Sequence, residues 1–204
     1  MKTPAPLHFY FDFISPYGYF ASLRIDEMAA GFGRAVEWHP MLLGVSVMKV
    51  MGLKPLLETP LKGPYTRNDV RRYARLHGVT LGREPGLAPM NPLTCGRALA
   101  WARQAQPNSA KDLARAMLHA YWHDGLDLSD ASALAKISLP ALISGADLVA
   151  AAKSAQAAQL LRDEVEASLQ SGVFGSPTIS VDGELFWGVD KFDQIQGWLE
   201  KGGW

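Results

Sequence analysis

Phe11-Asp12-Phe13-Ile14-Ser15-Pro16-Tyr17-Gly18-Tyr19 is the stretch that decides the fold. It follows the β-forming run from Leu7 to Phe13 and breaks at Ser15-Pro16. A serine hydroxyl can accept from the free amides of a starting helix, and proline suits the first helical position because no amide is needed there. A helix is therefore expected from Pro16 to about Ala30, closing near Gly31 and Gly33. Ala35 to His39 then reads as a second strand, stopped by Pro40. Strand, helix and strand in this order fit a parallel crossover.

Working outward, the middle of the chain is helical. Thr66 to His77, Leu93 to Gln106, Ser109 to His123, Ser129 to Ile137 and Ser154 to Gln170 carry capping residues and alanine-rich faces, and no strand is expected between about Leu42 and Gly172. Thr178–Val181 and Glu184–Trp187 flank Asp182-Gly183, a hairpin signal. A last helix is expected from about Lys191 to Glu200, with Asp190 as its cap. The fold class is α/β, with residues 1–44 and 172–204 forming one domain and residues 45–171 a helical insertion.

The composition excludes several function classes. Lysine plus arginine number 20 and aspartate plus glutamate 20, so net charge gives no argument for nucleic acid or an anionic surface. No apolar run reaches the length of a membrane span, and Met1 to Pro6 lacks the pattern of a leader peptide. The single cysteine, Cys95, excludes an internal disulfide and any CxxC pair. A cytoplasmic enzyme is expected.

Two segments carry chemistry. Ser15 has no base beside it in sequence, and an unassisted hydroxyl is a poor nucleophile. Either it only caps the helix, or it donates a hydrogen bond to a thiolate brought by a ligand. In Gly172-Val173-Phe174-Gly175-Ser176-Pro177-Thr178-Ile179, proline opens a strand after a glycine-bearing turn. Either Pro177 is an ordinary trans proline at a strand edge, or it is cis, with the main chain of Ser176 turned toward an extended peptide ligand.

Together these motifs resemble a known family. Phe11-Asp12-Phe13-x-Ser15-Pro16-Tyr17, Pro40-x-Leu42-Leu43-Gly44, Pro60-x-Lys62-Gly63-x-Tyr65 and Gly172-Val173-Phe174-Gly175-x-Pro177-Thr178 look like 2-hydroxychromene-2-carboxylate isomerases, relatives of the kappa-class glutathione transferases. The resemblance implies a DsbA-like thioredoxin fold with an inserted helical domain. Where a redox relative carries Cys-Pro-x-Cys, this chain has Ser15-Pro16-Tyr17-Gly18, so dithiol exchange is excluded.

The same resemblance implies glutathione as cofactor, a small aromatic acid as substrate and a homodimer. Its reaction would be isomerisation by reversible thiolate addition, bond rotation and elimination. Ser15 would be the catalytic contact to the thiol. Ser176 and Pro177 would meet the cysteinyl main chain, Lys62 the glycyl carboxylate, and Trp187, Gly188, Val189 and Asp190 the γ-glutamyl end. Asn91 would face the substrate. A kappa-like glutathione transferase or peroxidase, or a non-catalytic binding module on the same fold, are the alternatives. The chain departs from the family pattern at Leu53, His39, Val189 and Lys191.

Other signals are set aside. His119 and His123 lie four apart on an expected helix, but spacing suggests no third ligand, so no metal is expected. Cys95 reads as a buried small side chain. Taken alone, Lys62 reads as a solvated lysine and Asp190 as a cap.

Overall fold

The structure is a computed structural model that describes residues 4–204. The leader-peptide reading of Met1 to Pro6 therefore falls partly on Met1–Thr3, outside the described residues. Strands β1 (Leu7–Phe11), β2 (Val36–Pro40), β3 (Thr178–Val181) and β4 (Glu184–Trp187) form one sheet in the order β2-β1-β3-β4. β1 runs parallel to β2 and antiparallel to β3, and β3–β4 is the hairpin expected around Asp182-Gly183. Pro40 ends β2 on the sheet edge, where a missing amide breaks no inner ladder.

The register makes the two faces chemically different. Trp38, Phe9, Ile179 and Phe186 lie in one row across the sheet and are all buried. Phe9 and Phe11 stack at 5.1 Å, and Trp38 meets both edge-on. Alternation puts Glu37, His8 and Ser180 in a row on the other face, next to the row of His39, Tyr10, Thr178 and Trp187.

Among the described residues all strand lies at the two ends of the chain, and nine α-helices fill the rest: α1 (Pro16–Ser22), α2 (Ile25–Ala30), α3 (Lys62–Leu76), α4 (Leu93–Ala105), α5 (Pro107–Trp122), α6 (Ala131–Leu134), α7 (Gly145–Lys153), α8 (Ala155–Gln170) and α9 (Phe192–Lys201). Three expectations need correction. The first helix is two, because Arg24 leaves helical geometry at φ −125° to lay its guanidinium 4.8 Å over Phe192 and to donate to the Tyr73 hydroxyl at 3.2 Å. The helix expected over Ser129–Ile137 is a single turn capped by Asp130. An unforeseen helix, α7, starts at the Ser144 cap.

Candidate functional site

Ser15 sits where β1 hands over to α1, and it is 4% exposed. Its extended backbone (φ −89°, ψ 115°) lets the hydroxyl accept from the Gly18 amide at 3.0 Å, the cap expected from Ser15-Pro16. The same hydroxyl donates to the Ser176 carbonyl at 3.0 Å, 161 residues away. Ser176-Pro177 is a cis peptide, and Ser176 Oγ accepts from the Asp12 amide at 2.9 Å. The Trp122 indole donates to the Phe13 carbonyl at 2.9 Å and fixes the loop from the helical side. The main-chain amides of Tyr17 and Ser176 have no partner among the described residues. The site thus brings the Ser15 hydroxyl against the cis peptide of Ser176-Pro177, with one free amide on each segment.

Asp12 is the residue that sequence reasoning passed over. Its carboxylate is fully buried and accepts from the amides of Leu43 at 2.7 Å and Ile14 at 3.2 Å. With its own amide on Ser176, it ties the Phe11–Tyr17 motif to Pro40-x-Leu42-Leu43-Gly44 and to Ser176-Pro177. Burial pushes its pKa up from 3.8 to about 6, against the pull of the two amides. The available signal was a carboxylate between two phenylalanines: a charge in so apolar a strand must be buried with partners.

The remaining candidates fall in three places. Trp187 follows Thr178 across the hairpin, half exposed, with its ring 4.8 Å from Phe174. It lies so close to Gly175 that a Cβ there would meet the indole nitrogen at 2.3 Å. The Gly188 amide donates to the Pro177 carbonyl at 2.9 Å, which fastens this turn to the cis proline. Val189 is buried in the core, so only its main chain can meet a ligand. Asp190 does not cap the last helix. It sits in a 3-10 turn at Val189–Lys191, largely exposed, 3.0 Å from Lys191 Nζ, and α9 starts at Phe192 without a side-chain cap.

Lys62 opens α3, exposed, with no ion pair among the described residues. Gly63 beside it has to be glycine in this turn, because a Cβ would lie 2.3 Å from the Leu57 carbonyl oxygen. α1 reaches α3 through the Tyr17 hydroxyl, which donates to Asp69 at 2.7 Å. Asn91 is exposed and acts locally, its side-chain oxygen accepting from the Leu93 amide at 3.1 Å. No hydrogen bond among the described residues joins Asn91 to Ser15 or Ser176.

Cys95 is fully buried beside Ala98 and Leu99. Burial, with the carboxylates of Asp12 and Asp127, pushes its thiol pKa up, so it holds no thiolate for chemistry. Cys95→Ser should lose about 1–3 kcal/mol of stability from an unpaired buried hydroxyl while keeping its turnover. A folded Cys95→Ser protein without activity would contradict that placement. A cavity of about 460 Å³ lies on the polar side of the sheet between Tyr10, His39, α4 and α8, and Ser15 does not line it. His119 and His123 do find a third donor, in Asp124.

Comparison with known proteins agrees with this fold. The family described as DSBA-like thioredoxin domain matches residues 6–200. The chain is 27% identical to a 2-hydroxychromene-2-carboxylate isomerase of Sphingobium xenophagum, over 95% of this chain and 97% of that one. It is 24% identical to glutathione S-transferase kappa 2 of Caenorhabditis elegans, over 98% and 94%. Among solved structures, a 2-hydroxychromene-2-carboxylate isomerase superimposes with a TM-score of 0.78 at 21% identity, covering 96% of this chain and 94% of that one.

Proposed function

The chain belongs to the DSBA-like thioredoxin domain family, and on that footing we propose that it is a glutathione-dependent isomerase of 2-hydroxychromene-2-carboxylate or a similar aromatic acid. The observation that carries the reading is the meeting of Ser15 and Ser176. Their hydrogen bond satisfies the hydroxyl proton and the carbonyl with each other, while the Ser176 amide beside them stays free. A cysteinyl ligand suits that arrangement. Turning the Ser15 hydroxyl toward a thiolate releases the Ser176 carbonyl for an incoming N–H, so two ligand bonds replace one internal bond.

Ser15, Ser176, Lys62 and Asp190 would hold glutathione, with the main chain of Gly188 and Val189 beside the γ-glutamyl group. Glutathione would supply a thiolate. Once the ring C–O bond of the cyclic hemiketal opens to the conjugated keto acid, the thiolate would add to its carbon–carbon double bond, allow rotation about the resulting single bond, and leave as the double bond re-forms. Ser15 stabilises the negative sulfur before addition and after elimination, and the free Tyr17 amide adds a second donor. The exposed Phe174–Trp187 pair offers an aromatic wall. Met48, Val50, Met51, Leu53, Leu56 and Leu57 expose apolar surface in the segment after Gly44, where a second copy of the chain would pack in the proposed homodimer.

Turnover of 2-hydroxychromene-2-carboxylate with and without glutathione tests the reading. The expected product is the open-chain benzylidenepyruvate, with glutathione recovered unchanged. Net consumption of glutathione makes the protein a kappa-like transferase or peroxidase instead, which its 24% identity to a kappa-class enzyme favours as the second reading. No glutathione binding at all leaves a non-catalytic module.

Lys62 and Asp190 should act on affinity alone. Both are exposed, and Asp190 must leave Lys191 to meet an amine, so each contributes about 1 kcal/mol, roughly fivefold in Kd. Calorimetry of Lys62→Ala and Asp190→Ala should show that weakening and a smaller salt dependence than the parent. Unchanged affinity in both removes them from the site.

A further inference from the structure

The polar face of the sheet carries a cluster that the proposed chemistry does not use. β1 and β2 pair His8 with Glu37 and Tyr10 with His39, so His8, Glu37 and His39 emerge on one side although 31 residues separate the histidines. His8 Nδ1 lies 3.1 Å from His39 Nε2 and 3.5 Å from Glu37 Oε2, and His39 Nε2 lies 3.7 Å from the same oxygen. Only the first of these separations is a hydrogen bond of ordinary length. One proton between the imidazoles therefore satisfies one edge of the triangle and leaves Glu37 outside it.

A cation above the triangle satisfies all three edges. Tetrahedral zinc holds nitrogen and oxygen ligands at about 2.0–2.2 Å, which separates neighbouring ligand atoms by roughly 3.3–3.6 Å. We propose that His8, Glu37 and His39 form a zinc site with three protein ligands and a fourth position open to water. The other ring nitrogen of His39, Nδ1, faces Glu164 Oε2 at 3.4 Å, and Glu164 is itself paired with Arg103. A carboxylate behind a ligating histidine fixes the tautomer that turns the lone pair of Nε2 toward the metal. Glu37 and Glu164 against Arg103 leave one net negative charge around two imidazoles, which suits a divalent ion. Two nitrogens and one oxygen disfavour magnesium and calcium, which take oxygen ligands.

The site is separate from Ser15. His8 precedes Asp12 by four residues, about 13 Å along an extended strand. The ion would clip the edge strand β2 to β1, and its loss should leave glutathione binding unchanged. His119, His123 and Asp124 are the competing cluster among the described residues. They are more exposed, and Asp124 meets the two histidines through different oxygens.

The test titrates the chelator-treated full chain with zinc by calorimetry and with cobalt by visible absorption. One equivalent per chain should bind, with the intense visible bands of tetrahedral cobalt. Affinity should fall at least 100-fold in His8→Gln and His39→Gln, at least tenfold in Glu37→Gln, and about tenfold at unchanged stoichiometry in Glu164→Gln. The His119→Gln/His123→Gln double variant should bind like the parent. His8 and Glu37 are exposed enough for their variants to fold, so unchanged affinity in His8→Gln and Glu37→Gln overturns the proposal. So does loss of the site in the double variant, or a cobalt spectrum that is octahedral.

Discussion

Raising the pH from 4 to 7.5 is expected to remove about 2 kcal/mol of folding stability through one side chain, Asp12, and Asp12→Asn should escape that loss. The carboxyl titrates near 6 in the folded protein against 3.8 for an ordinary aspartate, because burial disfavours its charge. Between those two values the folded state binds more protons than the unfolded state. Stability is therefore highest below the unfolded pKa and declines as pH rises through the folded one. Asp69, Asp124, Asp127, Asp130, Glu164 and Asp182 are shifted the other way by their partners and lose stability in acid. The difference between parent and Asp12→Asn isolates the single group. Asparagine cannot accept from both the Leu43 and Ile14 amides, so the variant starts about 1–3 kcal/mol lower at pH 4. The gap should close as pH rises. Denaturant unfolding of both proteins at pH 4, 5, 6 and 7.5 measures it, and a gap that stays constant shows that Asp12 carries no such charge cost.

Ser15→Ala should slow turnover by one to two powers of ten while leaving most glutathione affinity in place. A hydrogen bond to a charged sulfur is worth about 1.5–3 kcal/mol, and that range converts to this loss when the bond is made in the transition state. Ser176, Lys62 and Asp190 still hold the ligand in the proposed complex, and the unpaired Tyr17 amide remains available to the sulfur. The thiol pKa of bound glutathione should therefore rise toward, without reaching, the free value of about 8.5. Alanine also removes the acceptor of the Gly18 amide, for about 1 kcal/mol of stability. Thiolate absorbance of the bound ligand against pH, read beside turnover and thermal unfolding, separates the two effects. A drop in stability with an unmoved titration and rate leaves Ser15 as a helix cap and removes it from the mechanism.

The sequence by itself determined what local physics controls. β-formers followed by Ser15-Pro16 set β1, which ends two residues short of the expected Phe13, and the start of α1, and Asp182-Gly183 set both strands of the hairpin at the residues expected. Alanine-rich faces located α4 and α5, and together with the Ser154 cap α8, to within a residue or two. The motifs around Ser15 and Ser176-Pro177 pointed to one site although 161 residues lie between the serines, because their resemblance to a family supplied the distance that spacing could not. What only the tertiary structure decided are the features whose partners are remote. α1 and α2 separate at Arg24 because Phe192 and Tyr73 draw its side chain away. Asp190 is released from the capping role its neighbours suggest, and Val189 is drawn into the core. Asp12 is a lone acid in sequence and becomes the joint of three motifs only when Leu43 and Ser176 arrive. His8, Glu37 and His39 become neighbours only through the β1–β2 register, in which a one-residue slip would send every side chain of β2 to the opposite face.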